Sequence, residues 1–274
     1  MQVKYPHADL AIKALLYEVV TWPKPGLVDP VTHSSHPDMD VYTFIDSSLS
    51  LRTYFENAED LGRRYNGKLS NLFEQLRILG IQAEKEMFAS TKGINTHKGA
   101  VFSLGIFVCA YSYSISNNCD VFKTIQKMTH GLVEHDLANV KVPKTAGEIE
   151  YQKYGKAGIR GQAEAGYPII SKIALPFLKQ TTGSLNERLI DTLMKIATVT
   201  EDSNFIKRAG DLDKLTELKK WSQHFLDLGG AKNNKALAYL KNLDNLFSER
   251  NYSLGGCADL LIITIFVALE EGII

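Results

Sequence analysis

Several things are scarce in this chain, and each absence narrows what it can be. There are three cysteines in 274 residues, Cys109, Cys119 and Cys257, and no C-x-x-C spacing among them. That excludes a disulfide framework and a thiolate zinc site, and it points to a reducing cytoplasm. Formal net charge is zero, with 31 basic and 31 acidic residues. No broad field is available to hold nucleic acid or an anionic membrane surface, although a local basic pocket is compatible with that balance. The longest apolar run, 260–269, is bounded by Asp259 and by Glu270-Glu271. It falls short of the roughly 20 residues a membrane span needs. Residues 1–9 carry no basic region followed by an apolar core, so no secretory signal is expected. Alternating β-type patterning is missing, and so are internal repeats and any G-x-x-x-x-G-K-[ST] phosphate loop.

What is present is helical periodicity. Apolar residues recur at helical spacing over 7–21, 41–65, 69–88, 100–114, 120–139, 162–179, 185–199, 213–228, 232–250 and 258–269. The 100–114 segment is apolar nearly all round and is expected at the centre. The fold class is therefore all-α: one compact multi-helix bundle, a single catalytic domain over residues 1–274, with its site built from the loops between helices. Residues 141–160, with Pro143, Gly147, Gly155 and Gly158, form the longest irregular stretch in the first half and read as a lid.

Chemistry concentrates in those loops. Gly93-Ile94-Asn95-Thr96-His97-Lys98-Gly99 packs an amide, a hydroxyl, an imidazole and an ammonium between two glycines at a helix start, which suits an anion. Trp22-Pro23-Lys24-Pro25-Gly26-Leu27-Val28-Asp29 is a proline-stiffened turn carrying one cation and one carboxylate. His36-Pro37-Asp38-Met39-Asp40 offers two carboxylates, which either cap the next helix or bind a hard cation such as magnesium. His33 and His36 alone are a poor zinc site. Arg160 lies at a glycine-flanked helix start, Glu201-Asp202-Ser203-Asn204 precedes Arg208, and Gly255-Gly256-Cys257-Ala258-Asp259 opens the last apolar helix. A carboxylate in that first turn is favoured by the helix dipole whatever else it does. Together these loops hold both signs of charge, as a magnesium-polyphosphate requires.

The order and spacing of these short motifs resemble one family across nearly the whole chain: the triphosphoribosyl-dephospho-coenzyme A synthases, which make the prosthetic-group precursor of citrate lyase and malonate decarboxylase. The resemblance rests on Pro-Lys-Pro-Gly-Leu-Val at 23–28, His36 with Asp38-Met39-Asp40, the 93–99 loop, Arg160-Gly161 with Gly166-Tyr167-Pro168, Asp202 with Asn204 and Arg208, and Gly255-Gly256 with Ala258-Asp259-Leu260-Leu261. It implies a pentosyl transfer. ATP loses adenine, and its ribose C1′ joins the 2′-hydroxyl of 3′-dephospho-CoA with the triphosphate still attached. Such a reaction needs a base for the hydroxyl, a donor for adenine and negative charge near an oxocarbenium-like ribose.

On that reading Asp29, Asp40 and His97 are the expected catalytic groups. Lys24, Asn95, Thr96, Lys98, Arg160, Asn204 and Arg208 are expected to hold ATP and its triphosphate. Asp38, Asp40 and Asp202 are expected to hold Mg2+. The product would pass to a transferase that modifies an acyl carrier protein, and a homodimer is compatible with the sequence. Gln162 stands where an acidic residue is expected, Ala209 replaces a glycine, Leu254 replaces a proline, and Pro30 and His33 are atypical. Two other readings compete: a magnesium-dependent all-α N-glycosidase or ADP-ribosyl hydrolase-like enzyme that gives the ribose to water, and a non-catalytic module that binds a nucleotide or a carrier protein.

Overall fold

The computed structural model describes residues 4–143 and 145–274. The expectations placed on residues 1–9 and 141–160 therefore fall in part, at 1–3 and at 144, outside the described residues. Among the described residues there are fourteen α-helices and no strand, which bears out the all-α class. In chain order they are α1 Pro6–Val20, α2 Val41–Ser50, α3 Arg52–Arg64, α4 Leu69–Ser90, α5 Lys98–Asn117, α6 Val121–Met128, α7 Ala146–Tyr154, α8 Gly158–Glu164, α9 Leu175–Gln180, α10 Leu185–Ala197, α11 Ser203–Ala209, α12 Lys214–Asp227, α13 Asn234–Arg250 and α14 Gly255–Glu270.

Two helices organise the rest. α5 and α14 are apolar on all sides, so both must be surrounded. They pack on each other; α3, α4 and α6 cover α5, while α1, α10 and α11 cover α14. By length and composition α5 could cross a bilayer, but it is enclosed by its neighbours. Buried side chains from Ala8 to Ala268 join in one continuous core.

Polar punctuation sets the helix ends. The 41–65 pattern divides at Leu51, which is fully buried. The hydroxyls of Ser48 and Ser50 bond the carbonyls of Phe44 and Ser47, competing with the helix ladder at that point. The 162–179 pattern divides at Gly166 and Tyr167, both with positive φ, just ahead of Pro168. The 141–160 stretch contains a helix after all. Thr145 and Glu148 form a capping box at the start of α7, a T-x-x-E signal that was legible in the sequence. Asp202 caps α11, a helix the periodicity did not show because it is only seven residues long.

Candidate active site

The starts of α5 and α14 meet at one end of the bundle, and the start of α11 lies beside them. Two adjoining cavities open there. The smaller, about 130 Å³, includes Glu18, His36, His97, Arg208 and Asp259 in its wall, with Leu27, Phe44 and Ile262 as apolar sides. The larger, about 740 Å³, is walled by Lys98, Arg160, Gln162, Asp202, Ser203 and Lys207 among others, including Thr145 and Gly147 from the start of α7. Asn95, Lys98, Gly99, Asn204 and Asp259 belong to both walls.

Asp259 is the group sequence reasoning undervalued. It sits just past the first turn of α14, against the first turn of α5, and its carboxylate accepts no hydrogen bond from the described residues. The close approach depends on Gly99, where an added Cβ would lie 1.9 Å from Asp259 Oδ2. Burial, with the neighbouring charges of Asp202 and Glu18, raises its pKa well above the ordinary carboxylate value. Asp202 is fixed more firmly. Its Oδ1 accepts from the Phe205 N–H at 3.0 Å and its Oδ2 from the Cys257 N–H at 2.7 Å, so it ties α11 to α14. Gly256 leaves room for it, since a Cβ there would lie 3.0 Å from its carboxylate. Burial pushes the Asp202 pKa up, against those N–H bonds.

His97 closes one wall of the smaller cavity. Its Nδ1 is 2.7 Å from Ser47 Oγ, which is also 2.6 Å from Thr96 Oγ1, and Phe44 meets its ring edge-on. Its Nε2 is buried with no hydrogen-bond partner. Burial, and then the Lys24 charge, push its pKa down to about 3, so the ring is neutral near pH 7. His36 is likewise held neutral, its pKa lowered to about 4 by burial and then by Arg208. Arg208 is anchored by the Ser35 carbonyl and by Asn251, and it faces His36 Nδ1 at 3.2 Å.

The remaining expectations divide. Asn95, Thr96, His97, Lys98, Arg160, Asn204, Arg208 and Asp202 are all brought to the two cavities. Lys24 is not in either wall. It is fully buried behind Glu18, with Nζ 2.5 Å from Glu18 Oε1, and Glu18 is the residue that faces the cavity. Asp29 also stands outside both walls. Its carboxylate accepts the N–H groups of Val31 and Thr32, each at 2.8 Å, closing its own turn. Asp40 is the cap of α2, accepting from the N–H and the hydroxyl of Thr43. Asp38 is exposed at the surface.

The ligand set Asp38, Asp40 and Asp202 is therefore corrected. Only Asp202 of the three reaches a cavity wall, and no group of three His, Cys, Asp or Glu side chains arranged to hold a metal exists among the described residues. Local hydrogen bonds from Thr43 take the Asp40 carboxylate, and Asp38 points to the surface instead of a cavity. Glu18 and Ser47 were missed. The signal for Glu18 was an acid on the apolar face of α1, beside Leu15 and Val19. Ser47 carried none.

The chain is an all-α protein with a polar, glycine-lined junction of helix starts, and its family makes it a transferase. The chain belongs to the CitG family, ATP:dephospho-CoA triphosphoribosyl transferase, whose model matches residues 5–273. It is 47% identical over 270 residues to a probable 2-(5''-triphosphoribosyl)-3'-dephosphocoenzyme-A synthase of Lactiplantibacillus plantarum, covering 96% of each chain. It is 48% identical to Protein CitXG of Leuconostoc mesenteroides subsp. cremoris, where the match covers 96% of this chain and 59% of that longer protein. A Streptococcus equi subsp. zooepidemicus protein with the same printed name as the first is 35% identical over 289 residues. No solved structure matches the chain.

Proposed function

We propose that the two cavities are where ATP and dephospho-CoA meet, and that the chain, as one catalytic domain, joins the triphosphoribosyl group of ATP to the 2′-hydroxyl of 3′-dephospho-CoA. The bond from ribose C1′ to adenine breaks and a bond from C1′ to the acceptor oxygen forms. The hydroxyl proton goes to a base, and adenine leaves with a proton. The observation that carries this reading is Asp259. A carboxylate with a raised pKa and no hydrogen-bond partner, facing both cavities, suits a base that takes a hydroxyl proton while offering negative charge to an oxocarbenium-like ribose. It replaces Asp29 and Asp40 in that role.

The other residues follow from where they lie. Lys98, Arg160 and Lys207 surround the larger cavity and would hold the triphosphate, together with N–H groups at the start of α5. Neutral His97 would offer its Nε2 to the adenine side of the smaller cavity. A ring held uncharged this firmly acts by hydrogen bonding, not by carrying a full proton. Arg208 shapes that wall through Ser35 and Asn251.

Magnesium remains part of the proposal, on a different ligand set. Asp202, the Asn204 amide and the Ser203 hydroxyl present hard oxygen donors to the larger cavity, which fits an ion that takes one or two carboxylates plus phosphates and water. When bound it would neutralise triphosphate charge. The product passes to a transferase that modifies an acyl carrier protein, in a reducing cytoplasm where the three free thiols stay reduced.

The test is chromatography of ATP, Mg2+ and dephospho-CoA with and without protein. Free adenine should form only when dephospho-CoA is present. Asp259→Asn should cut turnover by about 10²–10⁴-fold with the fold intact. Chelation should stop the reaction and added magnesium restore it. Adenine release without acceptor would instead favour the hydrolase reading.

A further inference from the structure

A third cavity, about 170 Å³, lies between α4 and α5 on the far side of Arg160. Its sides are Phe73, Leu76, Phe102 and Ile106, with Tyr54 at its floor. It is a largely apolar groove whose wall also holds Arg77, Glu84, Asp136 and Arg160. There Arg77 Nη1 lies 2.8 Å from Asp136 Oδ2 and Arg160 Nε lies 3.4 Å from the same oxygen. Arg77 also stacks on Phe73, 4.8 Å from the ring centre, and its Nε lies 3.4 Å from Glu74 Oε2. Arg160 belongs to the walls of both this groove and the larger cavity. Glu84, at the groove wall, binds Lys98 of the larger cavity at 2.8 Å.

We infer that this groove receives the pantetheine arm of dephospho-CoA, with the paired guanidiniums of Arg77 and Arg160 holding the diphosphate at its mouth. This rests on the reaction proposed above and adds where the acceptor lies. The two substrates share a nucleotide and differ in the arm. The arm begins at a diphosphate, continues through a gem-dimethyl group and two amides, and carries no charge along its length. A site that selects the acceptor must present cations and then an apolar trough, in that order, leading away from the reacting ribose. The groove supplies both, with Arg77 and Arg160 beside the apolar Phe73, Leu76, Phe102 and Ile106. Planar guanidiniums match phosphate oxygens in pairs, and both Arg77 and Arg160 reach the groove wall. ATP has no group to fill the trough, so its contribution is specific to the acceptor.

Gly80 provides the test. It lies within α4 in the groove wall, and a Cβ added there meets nothing closer than the Tyr54 hydroxyl at 3.5 Å. Gly80→Leu extends a branched side chain into the trough without a backbone penalty. KM for each substrate is read from adenine release, and folding from thermal unfolding. KM for dephospho-CoA should rise roughly ten-fold or more, as for a lost apolar contact of this size. KM for ATP should stay within about two-fold, and the preference for dephospho-CoA over armless ADP as acceptor should narrow.

Should Gly80→Leu not fold, Ile81→Asp at the groove wall, where the side chain is 54% exposed, places a charge beside the arm with the same expected split. An unchanged KM for dephospho-CoA in a folded variant overturns the inference, and so does a parallel rise for both substrates. Absence of adenine release by the wild-type chain would instead refute the proposed reaction, so the two failures are separable.

Discussion

Gly99→Ala isolates the close contact between α5 and α14. The added methyl would lie 1.9 Å from Asp259 Oδ2, 2.7 Å from Cγ and 3.1 Å from Oδ1. These are impossible separations, so the short Asp259 side chain or the crossing of the two helices must shift. Overpacking of this kind costs about 1–3 kcal/mol. Glycine within a helix is worse than alanine by roughly 0.5–1 kcal/mol, which offsets part of that cost. The net loss is then about 0–2.5 kcal/mol. For a chain near this size each kcal/mol moves Tm by about 2–4 °C, so Tm should fall by no more than about 10 °C. Turnover should fall much further, by about 10²-fold or more, because the carboxylate leaves the junction of the two cavities. Gly80→Ala has the same propensity gain without the clash, so it should raise Tm slightly and serves as the stability control. Thermal unfolding and adenine release measured on the same preparation give the answer. A folded Gly99→Ala protein with near wild-type turnover would refute the assignment of Asp259.

Two further outcomes follow from the electrostatics and the caps. Burial holds the His97 and His36 pKa values at about 3 and about 4, below the ordinary 6.5. In that window the unfolded chain binds more protons than the folded one, so stability should be full above pH 6.5 and decline as pH falls toward 4. Urea unfolding at several pH values reads it, and His97→Gln should flatten the decline; an equal slope in that variant would remove His97 from the account. Asp40→Ala should cost about 1 kcal/mol, seen as a lower Tm, by removing the α2 cap, while Asp40→Asn retains both the fold and near wild-type adenine release. Collapse of turnover in Asp40→Asn would return that residue to the catalytic set.

The sequence by itself determined the helical class, the central place of α5 and the loops that carry the chemistry. These are local properties. Periodicity records which face is buried, and the glycine and proline loops at 23–29, 93–99 and 255–259 record where the backbone must bend or come close. The caps at Asp40, Thr145 and Asp202 were equally local, because each bonds a donor three residues away. Tertiary structure decided which carboxylate is free.

Asp29, Asp40 and Asp259 look alike in a sequence, each an acid beside a turn or a helix start. Asp29 and Asp40 find partners within three residues and spend their oxygens there. Asp259 finds none, because the α5–α14 contact places it over Gly99, 160 positions away in the chain, and beside Glu18 and Asp202 from two other parts of it. Lys24 shows the converse. It reads as a triphosphate-binding cation in a stiff turn, yet packing buries it against Glu18 and leaves Glu18 facing the cavity. A charge acts on what surrounds it in space, and that is fixed only when distant helices pack.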